Sequence, residues 1–217
     1  MITLALSKPN GSPRRILCLG AHSDDIEIGC GGTIMRLLEE TGNTAIHWVV
    51  FSSDKVRESE TRQAARRFLR SARMKNIETN RFTDSFFPSQ SREIKEHFNE
   101  LRQRFSPDLV FTHYRNDFHQ DHRVISELTW NTFRNHLILD YEIPKYDGDL
   151  GAPGVFVHLD RSICERKVKH IVSSFRSQRS KQWFSEDTFF AILRLRGIES
   201  NSPSKYAEAF YCRKLTI

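Results

Sequence analysis

Short apolar runs alternate with amphipathic segments along the first part of the chain, and this order constrains the fold more than any other feature. The runs at 16–21, 45–51 and 109–112 have the composition of buried strands. Helical periodicity covers 58–71 and 94–105, which lie between the runs. Strands that alternate with helices are typical of a parallel sheet with helices on its faces. We therefore predict an α/β fold with a Rossmann-like, mostly parallel sheet flanked by helices.

The remaining segments complete the predicted layout. Gly29, Gly31 and Gly32 predict a close turn before a helix over 33–40, and 77–82 is a weak strand. The later predicted elements are helices at 124–133, 164–175 and 185–195 and strands at 155–159 and 209–214. The sequence contains no repeat or low-complexity tract, and 217 residues suffice for one core. We predict a single domain over residues 1–217.

Charge and cysteine usage narrow the functional classes. The net charge is +6, and the basic excess lies largely within 57–104. These basic residues could form a surface that binds nucleic acid, attract anionic substrates or simply lie on solvent-exposed helix surfaces. No nucleic-acid-binding motif accompanies them. The four scattered cysteines form no CxxC pair, which is typical of a reducing, cytoplasmic protein. We therefore predict a cytoplasmic protein with no nucleic-acid partner and no membrane span.

Histidine and aspartate clusters follow two of the predicted strands. His22, Asp24 and Asp25 come after the first strand, and the segment 113–122, which follows the strand at 109–112, holds three of the nine histidines. Ligands of open α/β sheets gather at the carboxyl ends of strands, so folding should bring the two clusters together. Three protein ligands plus water would form an open, catalytic zinc site.

Spacing within the clusters supports that interpretation. His22 and Asp25 are three positions apart, as are His119 and His122, so each pair can reach one point. Asp24 then remains as a carboxylate able to take a proton from metal-bound water. A helix cap and a surface histidine could explain either cluster alone. Their joint placement after strands favours a hydrolytic metal site.

Two motifs resemble those of a known family. Residues 21–33 resemble the AHPDD(I)E-x-G-C-G-G-T signature of the LmbE-like, or PIG-L, family of zinc-dependent N-deacetylases, and 119–122 is similar to its H-x-D-H motif. The segments 141–144 and 206–210 also resemble bacterial members. Ser23 replaces the usual proline, which should change the rigidity of the turn without removing a functional group.

The resemblance implies a ligand set and a base. His22, Asp25 and His122 would bind one Zn²⁺ per chain, and Asp24 would be the general base that activates the zinc-bound water. Other divalent metals, such as iron(II) or cobalt, could replace zinc, because a His/Asp/His set is not strongly selective.

The resemblance also implies supporting roles. His119 would stabilise the oxyanion and help to protonate the departing amine, and Asp121 would hold His119 charged and oriented. Arg57 and Glu60 form an R-x-x-E spacing that the family shows near its pocket, so Arg57 could bind substrate; a surface ion pair between the two is an equal alternative. Asp84 could bond a sugar hydroxyl or form an Asx turn. The other acidic and histidine positions in 113–122 are interpreted as pocket lining.

The implied reaction removes the N-acetyl group from an N-acetylglucosamine-type sugar or its conjugate, a small-molecule substrate. Two alternatives stay open: a noncatalytic Rossmann-like nucleotide-binding protein that uses 29–32 as a phosphate cradle, and a zinc amidase that cleaves another amide, such as a thiol-sugar conjugate. The resemblance also leans towards a homo-oligomer, which the phenylalanine-rich final third would suit.

Overall fold

A computed structural model describes residues 12–216 and shows seven strands in one sheet with six α-helices packed on it. The elements in chain order are β1 (Arg14–His22), α1 (Asp25–Thr41), β2 (Thr44–Ser52), α2 (Lys55–Phe68), β3 (Met74–Thr79), α3 (Ser91–Arg104), β4 (Leu109–His113), α4 (Gln120–Thr132), β5 (Leu137–Tyr141), β6 (Val155–His158), α5 (Arg161–Ser174), α6 (Glu186–Glu199) and β7 (Ala207–Tyr211). The predicted α/β class is confirmed.

The strand order creates a crevice beside β1. The sheet runs β3-β2-β1-β4-β5-β7-β6, and its first five strands are parallel, whereas β7 is antiparallel to both neighbours. The chain winds outward from β1 to β3 and then returns to place β4 on the other side of β1. Such a switch point leaves a crevice beyond the carboxyl ends of the two central strands. Both predicted clusters therefore lie at one edge of the sheet.

The alternation of side chains along β1 divides the core into two layers. Ile16 and Cys18 are fully buried against α1, α2 and α5, together with further apolar residues of α6. Leu17 and Leu19 point to the opposite face, where α3 and α4 cover them. A strand that is buried on both faces reads as a continuous apolar run, which explains why β1 is easy to recognise in the sequence.

The start of α1 is where the predicted layout is wrong. The helix begins at Asp25, the last residue of the first cluster, so the glycine-rich stretch lies inside the helix and forms no turn. A Cβ at Gly29 would lie 2.1 Å from the Tyr141 ring, and one at Gly31 would lie 2.5 Å from the Phe68 ring. These glycines therefore let other elements pack closely on α1. Side chains fill the space that a phosphate cradle would need, which argues against the nucleotide-binding alternative.

Several boundaries also differ from the prediction. Strand β5 was not predicted, β3 begins three residues earlier, and α4 begins at Gln120, four residues before the predicted start. The last shift places residues 121 and 122 in the first turn of a helix.

Among residues 12–216, no helix is both long and apolar enough to cross a membrane.

Candidate metal centre

The first part of the site is the tight connection between β1 and α1. β1 ends at His22, and only Ser23 and Asp24 precede the first residue of α1. Asp24 has φ of 94°, a left-handed conformation that costs energy for a residue with a side chain, although aspartate tolerates it better than most. The His22 backbone N–H donates to Asp25 Oδ2 at 2.6 Å. The geometry of the backbone thus holds one imidazole and two carboxylate side chains, those of His22, Asp24 and Asp25, close together.

Three side chains from the two clusters converge at the carboxyl ends of β1 and β4. His22 Nδ1 lies 3.3 Å from His122 Nε2. Asp25 Oδ2 lies 3.6 Å from His22 Nδ1, and Asp25 Oδ1 lies 3.6 Å from His122 Nε2. Ligands bound tetrahedrally at about 2.0–2.2 Å from one ion lie roughly 3.4 Å apart. The three groups predicted to bind zinc therefore fit a single divalent metal.

A second carboxylate orients each imidazole. Asp117 Oδ2 lies 2.8 Å from His122 Nδ1, and Asp121 Oδ2 lies 3.0 Å from His22 Nε2. Each ring therefore uses one nitrogen for a carboxylate and directs the other towards the shared point. Partners of this kind set the tautomer of a metal-binding histidine and raise its basicity. The sequence interpretation assigned Asp117 only to pocket lining and missed this contact.

The position of Asp121 differs from the expectation that its carboxylate orients His119. Its oxygens also accept hydrogen bonds from the backbone N–H groups of Ser85, at 2.7 Å, and Phe87, at 3.1 Å. His119 Nδ1 instead accepts from the Asp121 backbone N–H at 3.2 Å. The physical reason is that α4 begins at residue 120, so His119 occupies its N-cap while the Asp121 side chain turns towards β1.

Asp24 is held at one oxygen and unpartnered at the other. Its Oδ1 lies 3.1 Å from Arg57 Nη2, and Arg57 also donates to the Ser23 carbonyl. Asp24 Oδ2 is buried without a hydrogen-bond partner. Burial raises the pKa of Asp24 to about 7, although Arg57 opposes the shift. Glu60 binds the Ser177 backbone N–H and hydroxyl instead of Arg57, so the alternative surface ion pair is wrong.

The two converging histidines have opposite protonation tendencies. Burial disfavours the charged form of His22, but the hydrogen bonds that this ring donates to Asp121 and Asp25 outweigh it and hold its pKa well above the usual value. Burial and the neighbouring His113 lower the pKa of His122 to about 4. His122 is therefore neutral and ready to bind a metal, whereas His22 must first release a proton.

The other predicted residues lie around these groups. Asp84 stands at the mouth, where its side chain is 61% exposed and its Oδ1 is 3.2 Å from His22 Nε2. His119 is half-buried, and its ring lies 4.6 Å from that of His122. His113 stacks on His122 with ring centroids 3.9 Å apart, and its Nε2 accepts from a backbone N–H at 2.9 Å. His113 therefore forms a wall of the site.

Alternative ligand groupings exist within the same cluster. Ligand atoms of His22, His119 and His122 lie within 4.8 Å of one another, and so do those of Asp25, His113 and His122. A third such group joins His22 and His119 to Asp84 and Asp121, so either His22 or His122 belongs to every group. Their overlap describes one centre rather than separate sites.

Glu27 is a buried acid that sequence reasoning passed over, although it lies within the motif at 21–33. Both of its carboxyl oxygens are buried without a hydrogen-bond partner. Burial first, and then the negative charges of Asp24 and Asp25, raise its pKa well above the usual value. Glu27 is therefore expected to be neutral behind the site.

These features define a Rossmann-like α/β protein with a buried His/Asp centre able to hold a divalent metal at its switch point. The sequence profile of the PIG-L family, described as GlcNAc-PI de-N-acetylase, matches residues 17–133, which is more than half of the chain. The chain belongs to the PIG-L family. The matched range includes both clusters.

Solved structures share the fold at low sequence identity. N,N'-diacetylchitobiose deacetylase from Pyrococcus horikoshii is 20% identical over 96% of this chain and 86% of its own, with a TM-score of 0.66. The zinc-inhibited form of the teicoplanin deacetylase Orf2 is 15% identical over 91% and 97%, with a TM-score of 0.70. GalB, the 4-carboxy-2-hydroxymuconate hydratase from Pseudomonas putida KT2440, is 16% identical over 94% and 98%, with a TM-score of 0.74. No curated protein matches the chain. Since a hydratase and two deacetylases share this fold, the fold alone does not identify the reaction.

Proposed function

We propose that the chain is a zinc-dependent hydrolase that removes the N-acetyl group from an N-acetylglucosamine-type sugar or its conjugate. Membership of the PIG-L family supports the reaction class. The convergence of His22 Nδ1, His122 Nε2 and the Asp25 carboxylate is the observation that carries the proposal. Two imidazoles and one carboxylate suit zinc, and a divalent metal held there would polarise a carbonyl and lower the pKa of water.

Asp24 is the general base in this proposal. Its Oδ2 has no hydrogen-bond partner, so it is free to take a proton from the attacking water, while Arg57 holds Oδ1 in place. A pKa of about 7 matches a base that must be ionised near neutral pH and still bind a proton strongly. The left-handed conformation of Asp24 is consistent with a side chain that is held for chemistry at an energetic cost.

His119 is the group that stabilises the developing oxyanion and then assists the departing amine. Its Nδ1 accepts from the Asp121 backbone, so a neutral ring carries its proton on Nε2 and can donate a hydrogen bond to the oxyanion, while the proton that Asp24 takes from the water passes to the departing amine. Burial and the nearby His22 lower the pKa of His119, which favours this neutral donor form. Arg57 and Asp84 are the proposed substrate-binding residues; Asp84 is exposed at the mouth, where a sugar hydroxyl could reach it.

A substrate panel tests the proposed reaction. Protein loaded with one equivalent of Zn²⁺ should release acetate and a free amine from N-acetylglucosamine derivatives, measured together by an acetate assay and by amine labelling. A thiol-sugar amide belongs in the same panel, because the chain could cleave that bond with the same groups. If no amide in the panel releases an amine, while the metal stays bound, the deacetylase proposal fails. The predicted single domain, cytoplasmic location and homo-oligomer stay predictions.

A further inference from the structure

Lys145, on the loop that follows β5, is a largely buried charged residue with no role in the proposed reaction. Its side chain is 11% exposed, and its ammonium group lies among three carboxylates. Asp149 Oδ2 is 2.5 Å from Lys145 Nζ and Asp117 Oδ1 is 3.0 Å away, whereas the more exposed Asp147 is 3.8 Å away. Lysine side chains are rarely buried without an ionic partner. Asp117 and Asp149 therefore define the position of Lys145.

Both of these carboxylates contact the loop at 113–122, which carries half of the metal centre. Asp117 belongs to that loop. Asp149 Oδ2 accepts a hydrogen bond from the backbone N–H of Phe118 at 2.7 Å. Lys145 and Asp149 thus hold two consecutive residues of the loop, one through its side chain and the next through its backbone.

Asp117 connects Lys145 to a proposed metal ligand. Its Oδ1 contacts Lys145 and accepts from the His119 backbone N–H at 2.8 Å, while its Oδ2 lies 2.8 Å from His122 Nδ1. The two oxygens belong to one rigid, planar group, so contacts at Oδ1 fix the direction of Oδ2. Asp117 is only 2% exposed, and its charge needs partners within the protein. Loss of Lys145 would remove the ammonium group that now neutralises this buried carboxylate.

We propose that Lys145 is a positioning residue of the metal centre, which holds Asp117 so that His122 keeps its Nε2 directed at the metal. This inference rests on the proposed function, because it takes His122 to be a metal ligand. The alternative is that Lys145 contributes only its charge. The two roles predict opposite results. A positive charge repels a nearby metal ion, so loss of the charge alone should strengthen metal binding, whereas loss of a positioning contact should weaken it.

The test measures the Zn²⁺ affinity of the metal-free full chain by competition with a chromogenic chelator. Lys145→Met should weaken zinc binding by about tenfold, the lower end of the range for partners of metal-binding histidines, because Lys145 acts one contact farther from the metal. Lys145→Arg keeps the charge and can pair with both carboxylates, so its affinity should return to within about threefold of wild type. Near-UV circular dichroism checks that each variant is folded.

Lys181→Met is the matched control for charge. Lys181 lies within electrostatic reach of the site, because its charge opposes the rise in the pKa of Asp24. Its Nζ lies 5.6 Å from the centroid of the Trp183 ring, and the residue is exposed. This substitution removes the same charge without touching Asp117, so zinc affinity should be unchanged or slightly higher.

A double-mutant cycle tests whether Lys145 acts through Asp117. If it does, the variant that carries both Lys145→Met and Asp117→Asn should bind zinc as weakly as Asp117→Asn alone, within about twofold. Three results would each overturn the proposal: additive losses in the double variant, unchanged or stronger zinc binding in Lys145→Met, and an equal loss in Lys181→Met.

Metal affinity and turnover separate this inference from the proposed function. If zinc affinity follows these expectations but no amide is cleaved, Lys145 keeps its role and the deacetylase proposal fails. If the zinc-loaded protein releases acetate and amine but Lys145→Met binds zinc as tightly as wild type, the deacetylase stands and the role of Lys145 falls.

Discussion

The two loops that form the metal centre are built in different ways. The first loop, residues 22–25, connects a strand to a helix with only two intervening residues, one of them in a left-handed conformation. The second loop, residues 113–122, leaves six residues between β4 and α4. The short turn brings His22 and Asp25 together through the backbone, since the His22 N–H donates to Asp25 Oδ2. In the second loop, the Asp117 side chain orients His122.

The second loop also supports the first. Asp117 orients His122 within its own loop, while Asp121 reaches across to His22. Asp117 is in turn held by Lys145 at 3.0 Å and by the His119 backbone N–H at 2.8 Å. Substitutions in the first loop should therefore affect the chemistry directly. Substitutions of the supporting carboxylates should act through the metal.

The largest expected effects, on turnover and on metal content, distinguish the proposed general base from a proposed metal ligand. Asp24→Asn should lower kcat by about 10²–10⁴-fold because the amide cannot accept the proton, while zinc content stays near one per chain. His122→Ala should lose the metal as well as the activity. Metal analysis by mass spectrometry and single-substrate kinetics check both. Retained turnover in Asp24→Asn would remove Asp24 from the role of base.

The supporting carboxylates test how the loops cooperate. Asp117→Asn and Asp121→Asn should each weaken zinc affinity by about 10–100-fold, because the histidine that each carboxylate orients loses its anionic partner. Competition with a chromogenic chelator measures the affinity. Asp147→Asn is a matched control, since Asp147 lies on the neighbouring loop, 3.8 Å from Lys145, and touches neither histidine. Unchanged affinity in both test variants would mean that the backbone alone positions the ligands.

Proton release on metal binding distinguishes the histidines of the two loops. The raised pKa of His22 means that the metal-free site holds a proton at neutral pH, which the metal must displace; His122, with a pKa of about 4, holds none. Zinc affinity should therefore rise at least about tenfold per pH unit between pH 6 and 7, with at least one proton released, because Asp24, with a pKa of about 7, also binds a proton in part of the metal-free molecules. Calorimetry in two buffers of different ionisation enthalpy counts the proton. An affinity independent of pH over this range would contradict the assignment.

The smallest expected effect concerns the packing of α1, the helix that follows the first loop, against β5. Gly29→Ala should lower the free energy of unfolding by about 1–3 kcal/mol, because the new Cβ would meet the Tyr141 ring. Gly154→Ala is the control, since a Cβ there meets nothing within 4 Å. Thermal and denaturant unfolding compare the two variants. Equal stability would show that β5 can move away from α1 without cost.

The sequence predicted the parts of the fold that depend on local patterns. β1, β2 and β4 are apolar runs buried on both faces, and their boundaries differ from the predicted ones by two residues or fewer. β5 was missed, because a five-residue strand gains its stability from its neighbours in the sheet and not from its own composition. The start of α1 was misplaced because the three glycines were interpreted as a turn, whereas the space around them is filled by other elements.

In the candidate site, too, one part was predicted from local sequence patterns and another part was not. The ligand set proposed from the motifs stays a prediction, but its members do lie within 3.6 Å of one another. The partners of those ligands could not be assigned from spacing. The sequence assigned Asp121 to His119 and Asp117 only to pocket lining, whereas the direction of α4 decides that Asp121 meets His22 and Asp117 meets His122.

By itself, the sequence determined the class of fold, the two clusters and their meeting at one edge of the sheet, because hydrophobic periodicity and strand order are properties of the chain. The tertiary structure alone decided the strained conformation of Asp24 and the crossing of Asp121 to His22. Each of these depends on contacts between residues far apart in the chain. Such contacts are set by packing, which local propensity does not encode.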